Sequence, residues 1–482
     1  MRTLLPVLVA AKNSHPGDPA ADFFDYDASD PLVAEKDKLK KLFSWFVKVQ
    51  TPLDPVGYYP DPVDPDRRVH DVALTPGVDD ANWEPTWFAD LAWAASQYQE
   101  SDPALAGELA WTWDRGGRLW TPEATPGNAL ASFALVDPGV TAVQPTLSST
   151  STDFFYQIIR NDVGQPDEDY LLFTAGDYHI HGHYGATGFS LWADGVPLLL
   201  DSGVVDYGQS LVQWYRRTSA QNRISLYTDT GLQSIKYKGP WNSSVLPSFF
   251  SAGLDYVGGD TAVPSYADPD ATTAARRHIF MVKEPFEAYV VWDDLRGVLP
   301  QYVGAASWLN ALTPEPIDYS GPLATVHGYQ GVDLDIRYLD PGVSLSAADF
   351  GTSGLGGTRY TDATGSTLIN TQQSIKLPLT VDSGSVRSLM VLFPRGAADP
   401  GLSYDDVAVA GAPAGVRVIT VTDSTGAYFV IAVNAGGTAQ NASFASTDEL
   451  QDAKANASYA PSGGTVTVPL EANSIAVLQV GS

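Results

Sequence analysis

Near residue 145 the hydrophobic period of the chain changes, and with it the kind of element the backbone can form. Upstream, Leu39, Leu42, Phe43 and Phe46 recur at i, i+3, i+4 and i+7, which places them on one face of a helix. Lys36, Lys38, Lys40 and Lys41 read as its solvated side. Pro85 reads as the opening of a second helix that carries Trp87, Phe88, Leu91 and Ala95. Asp102-Pro103 reads as an N-cap with proline at the first helical position, followed by Leu105, Leu109 and Trp113. Between them, Thr51 to Gly77 is rich in Pro and Asp and reads as a loop.

Downstream the pattern becomes short alternating runs punctuated by Gly, Asp and Asn. Residues 189–193, Asp194-Gly195 and residues 196–200 form a two-residue hairpin signal. Residues 276–282, Glu284-Pro285 and residues 286–292 predict a second hairpin. Runs at 416–421, 428–433, 465–468 and 475–480 supply strands to the end. Short strands without interleaved helices predict antiparallel sandwiches, not a βαβ fold. The expected class is therefore α+β: a helical bundle over 1–140, a large antiparallel β-sandwich over 141–382, and a C-terminal β-sheet portion over 383–482. Asp382-Ser383-Gly384-Ser385 marks the last boundary.

Charge removes several function classes. Lys plus Arg is 28 against 56 Asp plus Glu, a net −28. A general nucleic-acid binder needs the opposite sign to release counterions, and anionic membranes repel such a chain. No apolar run approaches the ~18 residues that span a bilayer. Met1-Arg2-Thr3 followed by apolar residues 4–11 has the outline of a short signal peptide, but Pro6 interrupts it and a core helix is the favoured reading. Cysteine is absent, so disulfides, thiolate metal sites and Cys nucleophiles are excluded. There is no phosphate loop, no dinucleotide fingerprint, no H-E-x-x-H and no G-x-S-x-G. Asp293-Asp294 is an acidic pair, but neighbours on a strand point to opposite faces, so a shared catalytic role is not expected.

Three of seven histidines fall within five residues: His179, His181 and His183. In a strand all three share a face, but the outer two lie about 13 Å apart, so one ion takes at most two neighbours plus a ligand from elsewhere. Asp201, ending the first hairpin, is a candidate for that ligand. The alternative is a polar strand whose histidines hydrogen-bond within the sheet. Next, residues 211–240 hold Arg216, Arg217, Arg223, Lys236 and Lys238 against one acid, Asp229. Surface pairing is the better reading for the two lysines. For the arginines the functional reading is a cationic cleft for carboxylate or sulfate, with Tyr215 beside it.

The run HIHGHYGATGFSLWADGVPLLLDSGVVDYG, residues 179–208, followed by WYRRTSAQNRISL, residues 214–226, resembles the heparinase II/III family, which takes in several alginate lyases. Residues 1–140 are also similar to the end of that family's helical toroid. The resemblance implies a partial α/α toroid on a β-sandwich and a lyase that cleaves uronic-acid polysaccharide by β-elimination. It implies an active-site role for His181, proton transfer by Tyr215, and substrate binding by Arg216 and Arg217. It implies a structural metal, usually zinc, on His183, Asp201 and Gln221. The family has histidine at the last of these positions, and an amide oxygen is a poorer zinc ligand than imidazole. The resemblance also implies an acidic glycan as partner, an earlier toroid segment missing from this chain, and a periplasmic or secreted setting. Tyr58, Tyr59 and His70 do not match the toroid's catalytic motifs. A contrasting reading is a carbohydrate-binding or structural relative that kept the fold and lost the chemistry. Net negative charge opposes long-range steering of a polyanion, but salt screens this beyond roughly 8–10 Å, so a local basic cleft still suffices.

Overall fold

The computed structural model describes the chain outside residues 1–7, 9–10, 16–17, 19–21, 25–31, 61–67, 76–83, 86–88, 118–136, 138, 153–155, 176–185, 201–217, 231–242, 265–271, 341, 348–363, 365–371 and 482. A small helical layer is followed by antiparallel sheets, and the two periods seen in the sequence fall on the two parts. Every strand pairing is antiparallel among the described residues.

The helices are Val33–Val49, Ala89–Tyr98 and Pro103–Arg115. Leu39 and Phe43 are buried as their spacing predicts, against Leu91, Tyr98, Leu105 and Leu109. Asp102 caps the third helix by accepting the Leu105 N–H at 3.1 Å, and Lys40 ties that cap to the first helix at 2.5 Å. Leu8 packs against this same core. Three expectations are corrected. Lys36 is only 2% exposed, because it falls three residues before Leu39 on the inward face. Pro85 lies in the strand Glu84–Pro85, paired to Val72–Thr75, and the second helix starts at Ala89. The Pro/Asp-rich stretch is also more ordered than a loop: Leu53–Asp54 pairs with Val72–Thr75.

The sandwich has three main sheets. The first runs, in spatial order, Ser346–Ala347, Gln372–Leu379, Gly304–Leu312, Val196–Leu199, Phe189–Ala193, Asp169–Thr174, Tyr156–Asn161 and Thr150–Ser151, with Ile224–Tyr227 beside Gly304–Leu312. The second is centred on Leu254–Pro264, Thr272–Val282, Ala288–Arg296, Ser385–Gly396 and Val332–Tyr338. The third contains Ser403–Val407, Val416–Thr422, Tyr428–Asn434 and Ser474–Val480. The strand Ser385–Gly396 thus belongs to the second sheet, and the change of sheet comes at Ser403.

The second sheet is covered on both sides. Ile279, Met281, Val291, Leu334 and Ile336 pack toward Leu171, Leu191, Leu198 and Leu309 of the first sheet. Phe280, Val290, Trp292 and Val391 pack toward Val421, Phe429 and Ile431 of the third. This explains why 288–292 is apolar on consecutive positions. Lys454, from the third-sheet side, places its ammonium 3.6 Å from the Tyr256 ring centroid and closes that layer.

Both predicted hairpins form. Asp194 and Gly195 have φ of 49° and 71°, the left-handed pair that a two-residue turn matched to strand twist requires. The outer face of the first sheet, with Ile158, Tyr170, Leu172, Trp192, Leu200 and Leu312, receives Val49, Val56, Val72 and Leu74. Arg160 fastens this joint: it donates to the Lys48 carbonyl at 2.9 Å and pairs with Glu168 at 2.6 Å, while Tyr170 donates to the Val49 carbonyl at 2.8 Å.

Candidate functional site

Two stretches carry most of the predicted chemistry. His181 and His183 lie in 176–185, and Asp201, Tyr215, Arg216 and Arg217 lie in 201–217, outside the described residues. What the structure places is where each stretch leaves and rejoins the framework. The first departs after Thr174 and returns at Thr187, whose N–H donates to the Thr174 carbonyl at 2.7 Å. The second departs after Leu200, whose N–H donates to the Asn310 carbonyl at 3.0 Å, and returns at the short 3-10 turn Thr218–Ala220.

These roots meet at Asn222. Its side-chain amide donates to the Phe189 carbonyl at 2.7 Å, two residues past the first return. Its side-chain oxygen accepts the Asn310 N–H at 2.6 Å, on the residue that also holds Leu200. Asn310 extends the polar layer: its amide donates to the Ser219 carbonyl at 3.4 Å, and its oxygen accepts the Ser374 hydroxyl at 2.5 Å. All four residues are buried, so each bond is made where water cannot replace it.

A charge from the second sheet lies beneath. Arg277, 1% exposed, forms a two-point pair with Asp293, Nε to Oδ1 at 2.7 Å and Nη2 to Oδ2 at 2.9 Å. Its remaining nitrogen, Nη1, donates to the Thr187 carbonyl at 2.8 Å and to the Asn222 carbonyl. One guanidinium therefore touches the return points of both stretches. Arg223 is buried nearby, and its pKa is pushed down to about 9, first by burial and then by Arg277, with Asp293 opposing. Asp294 faces the other way, to Arg387 at 3.0 Å and Arg296 at 2.8 Å, so the adjacent acids serve separate partners.

Gln221 is the one predicted ligand that is described. It is 1% exposed, and its backbone carbonyl accepts the Arg223 N–H at 2.8 Å. Among the described residues no group of three His, Asp or Glu is arranged to hold a metal. On the same sheet face as Asn310 and Ser374 lies Lys376, with its ammonium 5.4 Å from the Trp308 ring and 5.7 Å from the Tyr227 ring. It has no carboxylate partner among the described residues.

Sequence reasoning missed Asn222 and Arg277, and weighed Asp293 only as one of an acidic pair. A signal for two of them was present. A hairpin centred on Pro285 pairs 282 with 288, and the same register places Arg277 opposite Asp293.

Comparison with known proteins bears on this frame. Residues 151–302, which include Asn222, Arg277 and Asp293, match the family described as heparinase II/III-like, C-terminal. Over this segment the chain is similar to that family. A crystal structure of heparinase III superimposes with a TM-score of 0.56 and 15% identity, over 84% of this chain and 55% of its own. A heparinase III gene product superimposes at 0.54 and 16%, over 83% and 53%. A heparan sulfate lyase HepC mutant from Pedobacter heparinus superimposes at 0.51 and 13%, over 74% and 51%. At these identities the likeness is one of fold. The chain spans about half the length of these structures. No curated protein matches it.

Proposed function

We propose that this chain is the sandwich-bearing part of a polysaccharide lyase that cleaves uronic-acid-containing glycan by β-elimination. The observation that carries the reading is the convergence on Asn222. In a heparinase II/III-like segment, the roots of the histidine stretch and of the Tyr-Arg-Arg stretch are fastened to one buried side chain.

In the proposed reaction a base takes the C5 proton of the uronate, the electron pair forms a C4–C5 double bond, and the C4–oxygen bond breaks. The departing oxygen receives a proton. Tyr215 is the proton-transfer group and His181 an active-site partner. Arg216 and Arg217 answer the charge that builds on the carboxylate. Lys376 supplies a further cation on the same sheet face. A metal held by His183, Asp201 and Gln221 would brace the strands. With one amide oxygen in the donor set, a cation that favours oxygen fits better than zinc.

The test is ultraviolet absorbance during incubation with alginate-, heparin- and heparan-type glycans, which detects the conjugated unsaturated product. Rising absorbance with one glycan class is the expected result. Binding without any absorbance change would favour instead a carbohydrate-binding relative, a reading the partial coverage of the longer structures also fits.

A further inference from the structure

On the face of the second sheet turned away from the Asn222 frame, a cleft of about 280 Å³ opens between that sheet and the start of the third. Its walls include Arg337 and Asp335 on Val332–Tyr338, and Leu402, Ser403 and Tyr404 at the beginning of Ser403–Val407. Alternation along Val332–Tyr338 sends Leu334, Ile336 and Tyr338 into the core, so Asp335 and Arg337 face this cleft.

The two charges are in different states. Asp335 is fully engaged: Arg395 donates to it from Nε at 2.9 Å and Nη2 at 3.2 Å, and Thr325 donates its hydroxyl at 2.7 Å. Arg337 has no such partner among the described residues. Its guanidinium rests 5.6 Å from the Tyr404 ring, and its buried Nε makes no hydrogen bond among the described residues. Leaving a buried donor of a charged group unmatched is costly, and this chain has twice as many acids as bases to draw upon. The walls beside the guanidinium are an aromatic ring, a leucine side chain and an exposed hydroxyl.

We infer that this cleft is a second binding site, for a carboxylate- or sulfate-bearing molecule of single-sugar size, with Arg337 gripping the anion. The planar fork suits an oxyanion, and the small volume suits one ring, not a stretch of polymer. The sugar part of this assignment rests on the lyase reading, whereas the anion part rests on Arg337.

The experiment is titration of the full chain with sodium glucuronate and with glucose, followed by calorimetry. Glucuronate is expected to bind at least tenfold more tightly than glucose. Arg337→Met, which keeps the stem over Tyr404, is expected to lose that difference. Ser403→Trp, which fills the mouth from an exposed position, is expected to block glucuronate without touching the guanidinium. Neither variant should change the rate at which short glycans are cleaved, because the cleft lies away from the Asn222 frame. Glucuronate binding that survives both substitutions, or equal affinity for glucose and glucuronate, would overturn the site. A wild-type chain that cleaves no glycan yet binds glucuronate through Arg337 would remove the lyase reading and leave the site standing.

Discussion

The Asn310 backbone N–H donates to the Asn222 side-chain oxygen at 2.6 Å, joining residues 88 positions apart. Asn222→Ala removes that acceptor and also the donor to Phe189. Each buried group left unmatched costs about 1–3 kcal/mol. Urea unfolding should show a loss of that order, and activity should fall further than stability at temperatures where the variant is still folded. Wild-type stability would mean that water replaces the side chain.

The Arg277–Asp293 pair predicts a non-additive cycle. Arg277→Met strands a buried carboxylate, and Asp293→Leu strands a buried guanidinium, each at about 3–5 kcal/mol. Joining the two substitutions should cost clearly less than their sum. A double variant whose loss equals the sum would show that the two side chains act independently.

For the chemistry, Tyr215→Phe and His181→Ala should each lower turnover by about 10²- to 10⁴-fold on a cleaved glycan. Lys376→Met should instead raise KM with little change in kcat, since its expected task is binding. A loss below about threefold in well-folded Tyr215→Phe would take proton transfer away from that residue.

Asp340 predicts a pH effect on stability. Burial pushes its pKa up to about 6, opposed by the hydrogen bond from the Leu389 N–H at 2.9 Å. An unfolded Asp releases its proton near 3.9. Between those values the folded form holds more protons, so this residue's contribution to stability declines as pH rises from about 4 to 6 and levels above. Asp340→Asn should flatten that part of the profile in thermal melts from pH 4 to 7. An unchanged slope would assign it to other groups.

Local signals in the sequence were dependable. Asp102-Pro103, Asp194-Gly195 and the change of period near 145 each depend on neighbours a few residues away, and each appears as expected. What failed depended on distant packing. Lys36 is buried because of how its helix is set against the others, and Pro85 joins a strand because Val72–Thr75 lies beside it. The same divide runs through the site. Histidine and arginine patterns are visible as residue types, whereas Asn222 matters because Phe189 and Asn310 arrive from strands 33 and 88 residues away. No local period encodes such a meeting.

The middle sheet, enclosed by a layer on each side, also sets an order of solvent access over time. Amide hydrogens in Ala288–Arg296 are bonded to Thr272–Val282 on one edge and Ser385–Gly396 on the other, with side chains buried above and below. They exchange with deuterium only when both outer layers have opened. The edge strands Ser403–Val407 and Asp318–Ser320, with one neighbour each, exchange through small local openings. The slowest amides in the molecule should therefore be found at its centre of layers, which includes Asp293 and its hold on Arg277.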